Sequence, residues 1–388
     1  MSSYSLVSFV FVHWLLPVAK RKNNRIDGFR SDYPSRAHTP TLDSLANVGV
    51  RSTFRPCYPS VTFPNHYSMA TGLHPDHHGL VNNFFYDAEL DSSYRMGNLD
   101  PRFYGGEPIW NTAERQGVRT ASFYWVGSEV PLASGQPSIW KPFDKSVPFS
   151  DRADSVISWL KLPEDIRPHL IMWYMEEPDA IGHSATPDSS ATLDVVENLD
   201  KVLNHFFTEA RKLDIFDKID FIVLSDHGMA TYYPERYVNL NDYLPRDSFD
   251  YVFDGVPTLL YPKKTYVDTA YAILQKVPNI TVWKKNEIPE KLVYGKNPRV
   301  SDLVVSPHIG TYVQFCEKSS PRYAATHGYD NFTPEMEAIF YAAGPSFKKH
   351  VEVPQMANVN LYLMIARLLN IQPAPNDGDS AVVQRLFK

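Results

Sequence analysis

Cysteine and clustered basic charge are both scarce in this sequence. Its 388 residues include two cysteines, Cys57 and Cys316, which are too few for a disulfide framework and leave the redox compartment open. The formal net charge is only -6, and no cluster of Lys and Arg alternates with aromatic side chains. A polyanion-binding surface is therefore not indicated, and we expect no binding of nucleic acid in a groove.

The sequence also lacks an apolar run long enough to span a bilayer. The one candidate targeting segment, residues 7–19, is too short, and its basic flank, residues 20–22, follows the apolar stretch instead of preceding it. We therefore expect neither a cleaved signal peptide nor a membrane anchor in this segment. Two Asn-x-Thr motifs, at Asn279 and Asn331, are compatible with a secretory chain, but Pro334 directly after the second weakens it.

Apolar and aromatic residues are abundant and occur in short runs. The chain is 43% hydrophobic, with Tyr 23 and Phe 22, as expected of a folded globular protein. Several apolar runs end abruptly in polar or glycine-containing turns, at residues 122–127, 169–179, 221–228 and 338–345. Helical patterns separate these runs, which predicts an α/β fold with a largely parallel central sheet flanked by helices on both faces. No repeat or low-complexity segment interrupts the pattern, so we predict one domain.

Three helices are indicated by the residues at their ends. Thr39 and Pro40 are typical of the N-cap and first residue of a helix, which Gly49 then stops. A long amphipathic helix begins at residues 188–189, and a third covers residues 359–371. In folds of this class, functional sites gather at the carboxyl ends of the strands.

Aspartate and histidine residues follow the ends of three predicted strands. They are Asp226 with His227, Asp179 with His183, and His327 in a glycine-containing turn. Each alone has an ordinary structural explanation, but three such groups at strand ends indicate a metal site. Zinc is the first choice for imidazole and carboxylate ligands, and manganese or iron would also accept them. If Asp27 also ends a strand, six ligands are present, which suits two metal ions with open positions for a substrate oxygen and a nucleophile.

A nucleophile is predicted at the start of a helix. Thr62 is predicted to be the N-cap of a helix that includes Pro64 and ends at Gly72. The backbone N–H groups and the positive dipole end at such a position favour phosphate oxygens and an ionised hydroxyl. Coordination to a divalent metal can lower the pKa of a threonine hydroxyl, and Asn65 could donate its amide to a nonbridging phosphate oxygen. The alternative is that Thr62 is only a helix cap.

Seven spaced motifs give a specific resemblance. They are IDGFRSDY (26–33), TFPNHY with TGLHPDHHG (62–79), GGEPIW (105–110), EEPDAIGH (176–183), SDHGM (225–229), HGYDN (327–331) and PAPNDG (373–378). In this order they resemble the nucleotide pyrophosphatase/phosphodiesterase family of the alkaline phosphatase superfamily. The resemblance covers nearly the whole chain from Ile26 onward. It implies an alkaline-phosphatase-like α/β fold, with a single phosphodiesterase catalytic domain over residues 26–388.

The resemblance implies a phosphodiesterase with two zinc ions. By the family pattern, one ion is held by Asp27, Thr62, Asp226 and His227, and the other by Asp179, His183 and His327. Thr62 would attack phosphorus to give a covalent phosphoryl-threonine ester, and water on the second ion would then release a nucleoside 5′-monophosphate. Asn65 would share the oxyanion with the metals. We expect a monomer and, by family analogy, a location in the secretory pathway, outside the cell or at a membrane.

The resemblance also indicates where a nucleotide base would bind. Phe63 and Phe143 match the two aromatic positions that hold the base in nucleotide-cleaving members, and Trp125 matches a pocket tryptophan. Ordinary core packing is the alternative for each of the three. Val61 and Gly105 stand where some triphosphate-preferring animal enzymes have lysine, so we do not expect a strong preference for long polyphosphate tails.

Two other substrate classes compete with nucleotides. Residues 57–61, CYPSV, are similar to the C-x-P-S-R element of sulfatases, but Val61 replaces the required arginine and Thr62 already fills the role of nucleophile. A choline or lysophospholipid phosphodiester could occupy the same site. The length of residues 87–107 is that of nucleotide-acting members and favours nucleotides.

The N-terminal segment conflicts with the rest of this site. Asp27 can act as a ligand only if a buried strand leads to it, yet residues 20–25 are basic and amide side chains where such a strand needs an apolar run. Residues 1–25 are therefore atypical, and we predict that residues 9–25 are an insertion, most simply an untranslated gene segment retained in the coding sequence. The alternatives are that residues 7–13 form the strand and the basic run loops back, or that this chain is a catalytically impaired relative.

Overall fold

The structure, a computed structural model, describes residues 6–10, 28–316 and 324–388, and of residues 6–10 only the backbone. In chain order its strands are β1 (Leu6–Val10), β2 (Val50–Arg55), β3 (Phe84–Asp87), β4 (Ser92–Arg95), β5 (Thr120–Phe123), β6 (Ile139–Lys141), β7 (Leu170–Trp173), β8 (Ile219–Leu224), β9 (Ala230–Thr231), β10 (Val238–Asn239), β11 (Phe249–Phe253), β12 (Thr258–Pro262), β13 (Ile280–Lys284), β14 (Leu303–Pro307), β15 (Val313–Gln314), β16 (Ala325–Thr326), β17 (Ala338–Ala343), β18 (Val351–Glu352) and β19 (Met356–Ala357). Its α-helices are α1 (Pro40–Val48), α2 (Thr62–Thr71), α3 (Pro75–His78), α4 (Ile109–Glu114), α5 (Phe149–Leu160), α6 (Asp179–Ala185), α7 (Ser190–Ala210), α8 (Val267–Leu274), α9 (Asn360–Leu368) and α10 (Ser380–Gln384).

A sheet of nine strands forms the centre of the molecule. Its strands run in the order β18–β2–β17–β8–β1–β7–β5–β6, and β19 also pairs with β2. The strands β8, β1, β7, β5 and β6 pair in parallel, whereas β17 is antiparallel to both of its neighbours, β2 and β8. The largely parallel central sheet predicted from the sequence is confirmed.

The central strands are apolar because both faces of the sheet are covered. Every residue of β7, β8 and β17 is buried, as expected of strands with helices on either side. Helices α1 and α5 each contact α7 and form one group with it, while α2, α4 and α9 contact one another and form a second. The arrangement is the predicted one, with helices on both faces of the sheet.

The three helices predicted from their end residues are present. Thr39 occupies the N-cap of α1 and Gly49 its C-cap. The hydroxyl of Ser189, the N-cap of α7, accepts a hydrogen bond from the backbone N–H of Thr192. Helix α9 lies inside the predicted range 359–371. None of the helices that the structure describes is both long and apolar enough to cross a bilayer.

Strand β1 occupies the middle of the sheet, where it pairs in parallel with β7 and β8. Asp27 can serve as a metal ligand only if the N-terminal segment supplies a strand at this position. The strand ends at Val10, so it contains residues on both sides of the predicted start of the insertion. Residues 11–27, including Asp27, lie outside the described part of the chain. The insertion over residues 9–25 and the domain start at residue 26 therefore stay predictions.

A smaller antiparallel sheet, in the order β11–β12–β14–β13, shares an apolar cluster with α2, the helix that begins at Thr62. Leu259 of β12 and Val304 of β14 pack in one apolar cluster with Tyr67 of α2. Their neighbours along the strands belong to a different core, shared with α8, because successive side chains of a strand point to opposite faces. The small sheet thus buries one face against α2.

The second glycosylation motif is buried. Asn331 is only 6% exposed, and its side-chain amide donates a hydrogen bond of 2.8 Å to the backbone carbonyl of Pro56. A glycan needs a surface asparagine, so this motif is not available for modification in the folded protein.

Candidate active site

Three of the predicted residue groups meet at the carboxyl edge of the central sheet. Asp226 and His227 lie just beyond β8, and Asp179 opens α6 after β7, with His183 on the same helix. His327 directly follows β16. Because β7 and β8 run parallel on either side of β1, their carboxyl ends lie at the same edge. The sheet therefore gathers side chains that are far apart in sequence.

These five side chains form one continuous cluster. Asp179 places Oδ2 3.2 Å from Nε2 of His183 and Oδ1 3.4 Å from Nε2 of His327. Oδ2 of Asp226 lies 3.1 Å from Nε2 of His227. The rings of His227 and His327 stack with centroids 3.7 Å apart, and ligand atoms of Asp179, His227 and His327 lie within 4.8 Å of one another. The cluster joins members of both predicted ligand sets.

The three histidines share one tautomer, which backbone carbonyls impose. Their Nδ1 atoms bond to the carbonyl oxygens of Ala325 for His183 (2.7 Å), Gly228 for His227 (2.8 Å) and Ser60 for His327 (3.0 Å). A carbonyl oxygen can only accept, so each Nδ1 must carry the proton. A neutral ring then presents an unprotonated Nε2 to the cluster, which is the usual arrangement of histidines that bind a metal.

Two buried carboxylate oxygens in the cluster lack a hydrogen-bond donor among the described residues and are placed to bind a cation. Oδ1 of Asp179 and Oδ2 of Asp226 are buried and have no hydrogen-bond partner within residues 28–316 and 324–388. Both face unprotonated Nε2 atoms, which cannot donate to them. A buried oxygen without a donor is costly, and a divalent cation between oxygen and nitrogen would stabilise both. The donor set suits zinc.

The pKa shifts of Asp179 and His327 favour the forms that bind a cation, whereas that of His183 favours its protonated form while no cation is bound. Burial raises the pKa of Asp179, but the imidazoles of His183 and His327 outweigh it, so its pKa lies below the ordinary value. Burial and the neighbouring His227 hold the pKa of His327 well below its ordinary value. Burial lowers the pKa of His183, but the Asp179 carboxylate outweighs burial and raises it. An ionised Asp179 and a neutral His327 are the forms that bind a cation.

The hydroxyl of Thr62 faces the same cluster. Its Oγ1 lies 3.4 Å from Nε2 of His227. Thr62 is the first residue of α2 and not its N-cap, which is Val61, so the prediction was wrong by one position. The difference arises because Val61 already has extended dihedral angles, while Thr62 is helical. As predicted, the helix ends at Gly72, which adopts a left-handed conformation with φ of 68°.

The chain reaches the cluster directly after Asp27. The backbone N–H of Gly28 donates to Oδ1 of Asp226 (3.3 Å), and that of Phe29 donates to the hydroxyl of Ser225 (2.9 Å). Gly28 has a φ of 73°, and a Cβ atom there would lie 3.0 Å from Oδ1 of Asp179. Asp27 itself lies outside the described residues, so its role as a ligand stays a prediction.

Asn65 has a different role from the one predicted. It is fully buried, and its Nδ2 donates to the backbone carbonyls of Pro59 (2.9 Å) and Val61 (2.8 Å). Its Oδ1 accepts from the backbone N–H of Cys57 and from Nδ2 of Asn358. Both amide hydrogens are thus already used, and none is left for a phosphate oxygen. Asn65 holds the loop that leads into α2.

A second asparagine, which sequence reasoning missed, lies at the start of α2. Oδ1 of Asn83 accepts a hydrogen bond of 2.9 Å from the backbone N–H of Phe63. This bond anchors the carboxamide beside Thr62, and Nδ2 of Asn83 bonds to no residue that the structure describes. Asn83 is therefore the better candidate for a donor to phosphate. An Asn-Asn pair in sequence indicates only a turn, so tertiary contact alone identifies it.

The three predicted aromatic residues lie in different environments. Trp125 is buried, and its Nε1 donates to the backbone carbonyl of His66 in α2 (3.2 Å), so the structure favours core packing for it. The side chain of Phe143 is 46% exposed and packs edge-on against Tyr124. Phe63 is partly buried. Base binding by Phe63 and Phe143 stays a prediction.

The cysteine in the sulfatase-like element is not a nucleophile. Cys57 is buried, its Sγ contacts Oδ1 of Asn358 at 3.1 Å, and burial raises the pKa of its thiol to about 12. A thiol in such surroundings stays protonated and inert. The sulfatase alternative is therefore not supported.

Comparisons with other sequences agree on one family. The family model for type I phosphodiesterase / nucleotide pyrophosphatase matches residues 25–330. Human ectonucleotide pyrophosphatase/phosphodiesterase family member 1 is 34% identical over 385 residues, which cover 94% of this chain and 41% of that protein. Venom phosphodiesterase from Naja atra is 31% identical over 383 residues, with 94% and 46% covered. The chain spans less than half the length of these relatives.

Solved structures agree along the whole chain. Murine ectonucleotide pyrophosphatase/phosphodiesterase 5 superposes with a TM-score of 0.90 at 31% identity, over 99% of this chain and 100% of that one. An inactive threonine-to-alanine variant of the same mouse protein, in complex with AMP, gives a TM-score of 0.91 at 30% identity over 100% of both chains. The expected alkaline-phosphatase-like α/β fold is confirmed. This chain belongs to the type I phosphodiesterase / nucleotide pyrophosphatase family.

Proposed function

We propose that this chain hydrolyses phosphodiester and pyrophosphate bonds of nucleotides and releases a nucleoside 5′-monophosphate. The observation that carries the proposal is the position of the Thr62 hydroxyl, 3.4 Å from Nε2 of His227, at the edge of a cluster built to hold cations. The inactive threonine-to-alanine variant of the murine neighbour, which holds AMP, supports both the threonine and the nucleotide.

We propose two zinc ions as cofactors, held by the ligands that the family pattern implies. Asp27, Thr62, Asp226 and His227 would hold one ion, and Asp179, His183 and His327 the other. When bound, such ions lower the pKa of a hydroxyl or water and neutralise the charge of a phosphate group. The backbone carbonyls that accept hydrogen bonds from Nδ1 would hold each imidazole with Nε2 directed at the ion.

The reaction would proceed in two displacements at phosphorus. In the first, Oγ1 of Thr62 forms a bond to phosphorus while the bond to the leaving oxygen breaks, and the hydroxyl proton ends on the departing group. In the second, water breaks the new ester, releases the nucleoside monophosphate and returns a proton to Thr62. Helix α2 would favour the anionic phosphate at its N-terminus, and Nδ2 of Asn83 would donate to a nonbridging oxygen.

We propose an extracellular or secretory location. Relatives of this chain are named ectonucleotide pyrophosphatase/phosphodiesterase and venom phosphodiesterase, and these names support a location outside the cell. The monomeric state stays a prediction.

The direct test compares two esters with zinc present. A nitrophenyl ester of a nucleotide and a nitrophenyl ester of phosphocholine are offered to the purified chain, and release of nitrophenol is followed. We expect the nucleotide ester to be the better substrate. A much higher kcat/KM for the phosphocholine ester would favour the lipid alternative. No turnover of either ester by folded, zinc-loaded protein would show a catalytically impaired relative.

A further inference from the structure

A second cluster of metal-binding side chains lies at the opposite end of α2. Nδ1 of His74 is 3.0 Å and Nδ1 of His77 is 2.7 Å from the same oxygen, Oδ2 of Asp377. The three ligand atoms lie within 4.8 Å of one another. Helix α2 has ten residues, so about 15 Å of helix separates this cluster from Thr62. None of the three residues belongs to the candidate active site.

The backbone holds the carboxylate in place. The backbone N–H of Asp377 donates to the carbonyl of Gly72 (2.7 Å), at the C-cap of α2. Oδ2 of Asp377 also accepts from the backbone N–H of His74 (2.8 Å). His74 is the N-cap of α3, so His77 follows within one helical turn and its ring reaches the same oxygen. The three donors are therefore arranged before any ligand binds.

The spacing and chemistry of these donors suit zinc. Bonds of about 2.0–2.2 Å to a tetrahedral ion place neighbouring ligand atoms roughly 3.3 Å apart, so the two imidazoles, now 3.0 and 2.7 Å from the oxygen, need to move outward by only about 0.3–0.6 Å. Two imidazole nitrogens and one carboxylate oxygen are a ligand set that zinc accepts. The His77 side chain is 46% exposed, so a water molecule can fill a fourth position.

An ordinary ion pair would not bring two imidazoles to one oxygen. The exposed pair of His205 and Asp154, at 2.8 Å, shows the simple case of one imidazole and one carboxylate. At Asp377, two rings converge on a single oxygen that also accepts from a backbone N–H. When one cation takes the place of the two Nδ1 protons, each imidazole carries its proton on Nε2 instead. Both rings therefore stay neutral.

We propose that His74, His77 and Asp377 form a zinc site that is separate from the active site and independent of the proposed reaction. Bound zinc would join α3 to the segment around Asp377, which lies 300 residues further along the chain than His77. Because the three ligands converge only in the folded chain, bound zinc would favour the folded state, and the expected effect is on stability and not on turnover.

The test is the zinc content of the full chain. Wild type, the double variant His74→Ala with His77→Ala, and the control His205→Ala are dialysed against micromolar zinc, and bound zinc is measured by elemental analysis. We expect the double variant to hold one zinc per chain fewer than wild type and the control to match wild type. Zinc should also raise the melting temperature of wild type more than that of the double variant.

Two further variants keep the outcome decisive. The same comparison in an Asp179→Asn, His327→Ala background removes two ligands of one active-site ion, and the loss of one zinc on removing His74 and His77 should persist there. His77→Ala alone, at an exposed position, replaces the double variant if the latter does not fold. Equal zinc content in folded wild type and the variant lacking His77 would overturn the proposal. Absence of nucleotide hydrolysis would instead count only against the proposed function, because the zinc difference does not depend on turnover.

Discussion

The hydroxyl of Thr62 lies 3.4 Å from Nε2 of His227, although 165 residues separate the two along the chain. Thr62 begins α2, and His227 follows the central strand β8. The carbonyl oxygen of Gly228 accepts a hydrogen bond from Nδ1–H of His227, so the unprotonated Nε2 faces the hydroxyl. The fold therefore positions the proposed nucleophile beside the candidate ligands.

Replacing Thr62 by alanine should abolish turnover without unfolding the protein. The variant lacks the oxygen that bonds to phosphorus, so kcat for a nucleotide nitrophenyl ester should fall by roughly 1,000-fold or more. Thr62→Ser should keep a measurable rate. Thr71→Ala removes a buried hydroxyl at the other end of the same helix and is the matched control. Equal kcat in folded Thr62→Ala and wild type would exclude Thr62 as the nucleophile.

Asn83 and Asn65 should respond in opposite ways to alanine substitution. Loss of an oxyanion donor at Asn83 should lower kcat by about 100-fold, with little change in the free energy of unfolding. Asn65→Ala should destabilise the fold, because each buried partner left unpaired costs about 1–3 kcal/mol. Urea unfolding and steady-state kinetics on both variants separate the roles. A folded, stable Asn65→Ala variant with a large loss of kcat would restore the original assignment.

Removal of metal should lower both activity and stability. Chelation leaves buried oxygens of Asp179 and Asp226 without a partner, so the melting temperature should fall and hydrolysis should stop. Added zinc should restore both. Asp179→Asn should bind less zinc than wild type and respond weakly to the chelator. A chelated protein with unchanged activity and melting temperature would show that the cluster holds no ion needed for function.

Asp220 should make stability depend on pH. It is buried at the start of β8, and burial raises its pKa even though Ser346 donates two hydrogen bonds to it. The folded state therefore holds this proton more tightly than the unfolded chain, and stability is lost as pH rises above about 4. The free energy of unfolding of Asp220→Asn, relative to wild type, should increase from pH 4.5 to pH 7.

Urea titrations at both pH values measure this difference, and Asp217→Asn, at an exposed position, controls for the loss of one charge. A relative stability of Asp220→Asn that does not change with pH, or that decreases toward pH 7, would contradict the assignment.

Gly328 should be required for the position of His327. It has a φ of 103°, and an added Cβ would lie 1.7 Å from the carbonyl oxygen of Val256, so Gly328→Ala must shift the turn. Gly97 also has a positive φ, of 78°, but open space around it, and Gly97→Ala should cost only about 1–2 kcal/mol. Gly328→Ala should cost more and should reduce bound zinc. Equal stability and zinc content in the two variants would contradict this prediction.

Much of the fold and part of the site could be predicted because they depend on local patterns. Apolar runs ending in Asp or His predicted the parallel strands and the residues at their ends. Gly72 was correctly predicted to end α2, because a left-handed residue after a helix is a local requirement. The role of Asn65 was predicted wrongly because it depends on how the loop before α2 folds: the carbonyls of Pro59 and Val61 accept both of its amide hydrogens.

The sequence by itself determined the family, the α/β class, and the threonine, aspartates and histidines that stand at strand and helix ends, since motifs and periodicity are properties of neighbouring residues. Only the tertiary structure decided how those side chains are used. Backbone carbonyls, among them that of Ala325 in β16 and that of Ser60, select the imidazole nitrogen that faces the cluster, and the bond from the backbone N–H of Phe63 makes Asn83 a better candidate than Asn65. The same holds for Asp377, which meets His74 and His77 only after folding, because a hydrogen bond depends on distance in space and not on separation along the chain.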